Sequence, residues 1–186
     1  MTNTNYTITE EGVIKLFGFR GTFMHVLERP KFDSDTADKK NKYEATILIP
    51  KKEVKLKKAL DALIAEVQAE AKIKCKPEML CLKDGDDSEY EEQHGHWTIK
   101  ASNAKKPALT DQNGLKAKDD DGFDGDESIY SGGHYHFAIG LWAQNNKWGK
   151  RVNANLHAVK FAAHGERLAS GGGADYSDAF DDDDSL

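Results

Sequence analysis

The chain has 186 residues, of which 38% are apolar and 31% are charged, a composition that suits one domain with a modest core and some appendages. No apolar run approaches the roughly 20 residues of a membrane span, and the first dozen residues lack the basic and apolar regions of a secretory signal. Its two cysteines, Cys75 and Cys81, do not suggest a disulfide framework, so we expect an intracellular protein.

The formal net charge of −6 conceals a separation of charge along the chain. Six acidic residues lie in each of the stretches 84–92 and 119–127, and six aspartates lie in residues 174–186. The rest of the chain has 26 basic residues against 14 acidic ones. A basic framework with segregated acid is typical of a surface that binds a polyanion, although lysines that only solvate an ordinary domain would give the same count.

The N-terminal half predicts two strands and one helix. Residues 12–27 are rich in β-branched and aromatic residues, and Gly18 and Gly21 mark bulges or bends in this strand. A polar loop follows, and residues 43–50 then alternate as a second strand that ends at Pro50. From about residue 52 to about residue 72, apolar residues recur at helical spacing and predict the main helix.

The C-terminal half predicts three more strands, at residues 94–102, 128–144 and 152–163. The acidic stretches between them are predicted loops, and Gly122 and Gly125 argue against compact structure in the second one. Residues 145–151, with the sequence NNKWGKR, are predicted to form a polar connector. Five or six strands and one main helix, joined mostly by turns, predict a mainly β fold: an OB-fold-like, five-stranded barrel with loop insertions.

We expect residues 1–170 to form this single domain, with residues 1–11 as a candidate disordered segment. Residues 171–186 are expected to be a flexible, glycine-rich linker with an acidic tail. A flexible chain of 16 residues has an r.m.s. reach of about 20–24 Å. The radius of gyration of a body of this size is about 15–16 Å, so the tail could reach a groove on its own molecule.

The motifs predict no catalytic residue, no metal ion and no cofactor. The pairs His94/His96 and His134/His136 could each present two zinc ligands on one strand face, but no C-x-x-C motif accompanies them. The acidic stretches match no EF-hand and do not offer the rigid carboxylates of a two-metal nuclease. No nucleophile elbow, P-loop or dinucleotide fingerprint occurs. A metal-dependent nuclease and an acidic interaction protein without a nucleic-acid partner are the alternatives that stay open.

Aromatic residues beside basic ones are the strongest functional pattern. Trp148 lies between lysines, Trp142 lies opposite the apolar face of its strand, and Arg20 is flanked by phenylalanines. Proteins that hold single-stranded nucleic acid follow its phosphates with cations and stack its bases on aromatic faces, at roughly 1–3 kcal/mol per base. We therefore predict a groove across the barrel. Its predicted lining is Arg20, Lys42, Lys100, Trp142, Lys147, Trp148, Lys150 and Arg151.

Several stretches, in order, resemble the single-stranded DNA-binding proteins of tailed bacteriophages. They are KYEATILIPK before the helix, IKASNAKKPALTD, IYSGGHYHFAIGLWAQNNKWGKRVNANLHAVKF, and HGERLASGGGADYSDAFDDDD. The resemblance covers the chain from about Gly21 to the tail. It implies an OB-fold replication protein that coats transient single strands in the host cell cytoplasm, without catalysis, a required metal or a membrane partner.

On this expectation the acidic tail competes with DNA for the basic groove. DNA that displaces the tail would free it for a replication partner such as a polymerase. The tail residues expected to act in this way are Asp175, Asp178, Phe180, Asp181, Asp182, Asp183 and Asp184.

Overall fold

The computed structural model describes residues 4–30, 41–119 and 122–168, and its strands form one sheet that closes into a barrel. The strands are β1 (Tyr6–Ile8), β2 (Val13–His25), β3 (Tyr43–Pro50), β4 (Leu82–Asp84), β5 (His96–Asn103), β6 (Ala108–Thr110), β7 (His134–Asn146) and β8 (Gly149–Ala163). The helices are α1 (Val54–Ala71) and α2 (Gly125–Ser128), and single 3₁₀ turns lie at Pro77–Met79, Gly85–Asp87, Glu91–Gln93 and Ala117–Asp119. The predicted acidic tail lies outside the described residues.

Five strands close the barrel in the order β2, β3, β5, β8, β7. Neighbouring strands are antiparallel except β5 and β8, which are parallel, with Ala101 opposite Ala154 and Ser102 opposite Asn155. Three short strands extend the sheet by pairing with strands of the barrel: β1 pairs with β2, β4 pairs with β5, and β6 pairs with β8. This five-stranded closed arrangement confirms the OB-fold-like architecture that the sequence predicts.

The core lies inside the barrel and beneath α1. Alternation along β7 turns Tyr135, Phe137 and Ile139 inward, where all three are buried. The helix buries Leu56 and Leu60, one turn apart, and contacts β7 and β8. Each such side chain stabilises the fold by about 1.5–3 kcal/mol. The helix, which follows β3 in the chain, therefore packs its single apolar stripe against the barrel at β7 and β8. None of the helices in the described ranges is both long and apolar enough to span a membrane.

Two bulges bend β2. The first places Phe17 and Gly18 opposite one residue of β7, and Gly18 has a φ of 74°. The second lies around Phe23 and not at Gly21, as the sequence had suggested. Gly21 has another role: a Cβ there would lie 3.1 Å from the ring of Phe137 and 2.6 Å from the sulfur of Met24. The absence of a side chain thus allows the core to pack closely there.

The predicted polar connector at residues 145–151 is mostly strand. From the pair Ile139 and Leu156 onward, β7 and β8 pair in regular register up to Asn146 and Gly149, so only Lys147 and Trp148 form the turn. Gly149 takes a φ of 111°, which only glycine adopts readily. The sequence pattern missed this because both faces of the hairpin end are polar, so no alternation marks the strands. It also missed β1, β4 and β6, whose three residues each are too few to show a period.

The prediction that the second acidic stretch lacks compact structure is wrong for its described residues. The buried carboxylate of Asp111 accepts hydrogen bonds from the N–H groups of Asn113, Leu115 and Asp124, at 2.7–2.9 Å. Asp124 in turn accepts the N–H of Glu127 and caps α2. Buried aspartate and backbone donors therefore order this stretch through contacts that glycine content does not reveal.

Candidate nucleic-acid interface

The β7–β8 hairpin carries five of the eight predicted lining residues. We call this set the hairpin cluster; its members are Trp142, Lys147, Trp148, Lys150 and Arg151. Trp148 is 73% exposed at the turn. The Lys147 ammonium lies 5.0 Å from the centroid of its ring, within the range of a cation–π interaction. A large aromatic ring that is this exposed contributes little to the core and is available to a ligand.

Strand pairing also brings an aromatic ring and a cation together on the hairpin strands, further from the turn. Trp142 lies opposite Asn153, and Arg151 lies opposite Gln144. Trp142 and Arg151 are therefore diagonal neighbours on one face, roughly 7–8 Å apart by sheet geometry. The amide of Asn153 donates a 3.0 Å hydrogen bond to Gln144 between them. This face can stack a base on Trp142 while Arg151 contacts an adjoining phosphate.

The other three predicted lining residues lie away from the hairpin. Lys100 is exposed on β5, and its ammonium lies 3.0 Å from the carboxylate of Glu44. Lys42 is exposed just before β3. Arg20 on β2 donates from Nε to the carbonyl of Gly132 at 3.1 Å and from Nη2 to the carbonyl of Glu166 at 2.7 Å. Two donor groups of Arg20 thus bind backbone carbonyls, a structural role that the sequence does not reveal.

The contacts of Arg20 belong to an anchored C-terminal segment, residues 164–168. The N–H of Leu168 donates to the carbonyl of Ser131 at 2.9 Å. The hydroxyl of Tyr130 accepts the N–H of Gly165 at 3.0 Å, and the Arg167 guanidinium lies 4.3 Å from the Tyr130 ring centroid. The last described residues are therefore fixed beside the start of β7.

A second aromatic group is formed by residues of β2, of β5 and of the chain between β4 and β5. We call it the bulge cluster; it consists of Phe23, His25, Tyr90 and Lys100. The ring centroids of Phe23 and Tyr90 are 4.9 Å apart with an interplanar angle of 72°. Tyr90 is 39% exposed. Repulsion from Glu89 raises the pKa of Tyr90, and the charge of Lys100 acts in the opposite sense, so both charges lie close to this ring.

Sequence reasoning missed Tyr90 because it lies in the acidic segment, here residues 84–95. A usable signal was present, since an aromatic residue within a run of acids has no obvious packing partner along the chain. Ion pairing fixes the first residues of the segment: the Lys51 ammonium contacts Asp84 at 2.7 Å and also contacts Asp86. The hydrogen bond from Lys51 lowers the pKa of Asp84. The pKa of Asp86 is lowered most by the hydrogen bond from the N–H of Gly95, and next by the hydrogen bond from Lys51.

Three histidines of the two pairs, His94, His96 and His136, make local hydrogen bonds. His96 Nδ1 lies 2.9 Å from the carbonyl of His94, and His136 Nδ1 accepts the N–H of Gly18 at 3.0 Å. Burial lowers the pKa of His136. Within residues 4–30, 41–119 and 122–168, no three His, Cys, Asp or Glu side chains are grouped so that they could hold a metal ion.

Comparisons with known proteins agree on one family. The family described as "Enterobacter phage Enc34, ssDNA-binding protein" matches residues 13–186. Protein p50 of Acyrthosiphon pisum secondary endosymbiont phage 1 is 31% identical over 180 residues, covering 91% of this chain and 92% of that protein.

Solved structures show the same relationship. The single-stranded DNA-binding protein of bacteriophage Enc34 in complex with ssDNA has a TM-score of 0.79 and 28% identity, covering 91% of this chain and 96% of that one. Gp2.5, a single-stranded DNA-binding protein of bacteriophage T7, has a TM-score of 0.53 at 16% identity over 94% of both chains, a likeness of fold alone. This chain therefore belongs to the family of the Enterobacter phage Enc34 single-stranded DNA-binding protein.

Proposed function

We propose that this protein binds single-stranded DNA without sequence preference during phage DNA replication or recombination, in the cytoplasm of the host cell. The observation that carries the proposal is the hairpin cluster, which presents exposed tryptophans beside cations on an OB-type barrel. The Enc34 relative, whose structure was solved with ssDNA, supports it. The role requires no catalysis, so we place no catalytic residue in this chain.

The chemistry of binding follows from the two kinds of side chain in the hairpin cluster. Lys147, Lys150 and Arg151 neutralise phosphates and release counterions, which makes binding steeply dependent on salt. Trp142 and Trp148 stack bases, which any base permits because each has a π face. Neither interaction reads a base edge, so affinity is expected to vary little with sequence.

A gel-shift titration with a labelled oligothymidine tests the proposal. We expect binding at low salt, and a log–log salt dependence with a slope of about −0.7 per neutralised phosphate. No complex at low salt, or an affinity that stays flat from about 50 to about 500 mM salt, contradicts it. Incubation of labelled DNA with magnesium distinguishes a nuclease: we expect the DNA to stay intact.

We further propose that the acidic tail competes with DNA and, when displaced, contacts a replication partner such as a polymerase. The described chain ends at Leu168, which is anchored beside the start of β7. The hairpin turn lies at the far end of β7, about 40 Å away along the strand. Eighteen residues follow Leu168 in the sequence, and a flexible chain of that length would have an r.m.s. reach of about 21–25 Å. This supports competition near Arg20 and the bulge cluster more than at Trp148.

Deleting residues 174–186 is predicted to tighten binding to oligothymidine by about 3-fold and to duplex by about 10-fold, because six tethered carboxylates no longer oppose the phosphates. Fluorescence anisotropy with both DNA forms measures this at one salt concentration. A full-length variant with all six tail aspartates replaced by asparagine should match the deletion. Unchanged affinities for both DNA forms in the two variants would remove the tail from the mechanism.

A further inference from the structure

The acidic segment crosses the outer face of the barrel sheet. It leaves the sheet from β4, which pairs with β5, yet its Tyr90 ring contacts Phe23 on β2. Strand β3 lies between β5 and β2 in the sheet. Tyr90 therefore reaches Phe23 across the position of β3 in the sheet.

Burial on the outer face agrees with this crossing. Along β3, Ala45, Ile47 and Ile49 belong to the core cluster, so alternation turns Thr46 and Leu48 outward. Both outward side chains are nevertheless buried. An outward-facing residue is buried only if another part of the chain covers it, and the contact of Tyr90 with Phe23 places the acidic segment next to this strand.

The second bulge of β2 is what presents Phe23 to this face. Thr22 pairs with Thr46 and His25 with Glu44, so Phe23 and Met24 together occupy the space opposite a single residue. Phe23 has a φ of 51°, a conformation that is uncommon for residues other than glycine. Bulges of this kind redirect side chains, and they occur often beside functional sites.

Charge is distributed unequally around the aromatic pair. Lys100, whose ammonium also pairs with the carboxylate of Glu44, supplies a cation next to Tyr90. Asp87, Glu89 and Glu91 are exposed on the acidic segment. Among the described residues, ion pairs of this segment engage Asp84 and Asp86 only. The Tyr90 ring therefore has the Lys100 cation and the Glu89 carboxylate close to it, and Asp87 and Glu91 are exposed within three positions of it along the chain. None of these three carboxylates forms an ion pair within the described chain.

We propose that the Phe23–Tyr90 pair is a base-binding site for an unpaired nucleobase, and that the carboxylates bordering it keep a second phosphate backbone out. The inference rests on the proposed function and adds the reason for single-strand selectivity. A single strand can turn a base onto Tyr90 while its phosphate follows Lys100. A duplex keeps its bases paired and brings a second backbone against Asp87, Glu89 and Glu91, where like charges repel.

The aromatic half of the proposal is tested by Tyr90→Leu. We expect its affinity for oligothymidine to fall about 5- to 100-fold, the loss of one stacked base, while Tyr90→Phe stays within about 2-fold because the ring remains. Phe17→Leu is the matched control, since Phe17 is also 39% exposed, and it should bind as the unmodified protein does. A thermal melt of each variant shows whether the fold is retained. Equal binding by Tyr90→Leu and Phe17→Leu overturns this half.

The acidic half is tested by the triple variant Asp87→Asn, Glu89→Gln, Glu91→Gln. We expect its affinity for duplex DNA to rise about 10-fold or more, and its affinity for oligothymidine to rise no more than about 3-fold, since only a second backbone meets these charges. The control triple is Glu11→Gln, Glu66→Gln, Glu70→Gln, which removes the same charge from exposed positions in the β1–β2 turn and on α1. If both triples tighten duplex binding equally, net charge explains the effect and the proposal fails.

The two proposals fail in different ways. If the unmodified protein does not bind oligothymidine, the proposed function is wrong. If it binds and the Tyr90 and acidic-segment variants behave as their controls do, only the inference about this site is wrong.

Discussion

Replacing Lys147, Lys150 and Arg151 by glutamine should lower the affinity for oligothymidine about 100-fold at about 50 mM salt, the largest loss expected from a surface change. These three cations belong to the hairpin cluster, and the ammonium of Lys147 also lies over the Trp148 ring. Each cation that no longer neutralises a phosphate makes the salt slope less steep by about 0.7, so the triple variant should lose about 2 units of slope. Fluorescence anisotropy titrations across a salt series measure both quantities.

The matched control is the triple variant Lys52→Gln, Lys55→Gln, Lys58→Gln. These lysines are exposed at the start of α1 and just before it, so the variant loses the same charge without touching the hairpin. We expect its affinity to fall no more than about 5-fold through the long-range field. If both triples weaken binding equally, binding depends on total charge and the hairpin cluster is not the interface.

Gly132→Ala should lower the free energy of unfolding by about 3–4 kcal/mol, a loss near the upper end for one substitution. A Cβ at this position would lie 1.9 Å from the carbonyl oxygen of Glu166, and the φ of 111° already disfavours a side chain. Because Arg20 donates to the carbonyls of both Gly132 and Glu166, the clash would also detach the C-terminal segment. For a domain of this size the midpoint of thermal unfolding should fall by about 6–16 °C.

Gly149→Ala separates backbone strain from the clash. Gly149 has the same φ of 111°, but nothing lies within 4 Å of a Cβ built there. It should cost only about 1–2 kcal/mol, the strain of the backbone conformation alone. Urea denaturation gives both values, and trypsin cleavage after Arg167 should accelerate in Gly132→Ala only. Equal stabilities of the two variants would show that the approach of Glu166 to Gly132 contributes nothing.

The two aromatic clusters differ in how visible they are in the sequence. Trp148 is a large ring between lysines in a polar stretch, so its exposure could be predicted from its neighbours along the chain. Tyr90 and Phe23 are 67 positions apart in the sequence, and only the crossing over β3 makes them one site. Arg20 shows the reverse case: its neighbours suggested a DNA contact, whereas tertiary structure engages two of its donors with backbone carbonyls.

Local pattern alone determined the strands β2, β3, β5, β7 and β8, the helix α1 and the aromatic and basic character of the hairpin. It could do so because alternation and helical spacing record which side of one element is buried. Only the tertiary structure decided the parallel closure of β5 on β8, the order that Asp111 imposes on the second acidic stretch, and the meeting of Tyr90 with Phe23. Each of these joins positions distant in the chain, and periodicity within one element carries no information about which distant element will cover it.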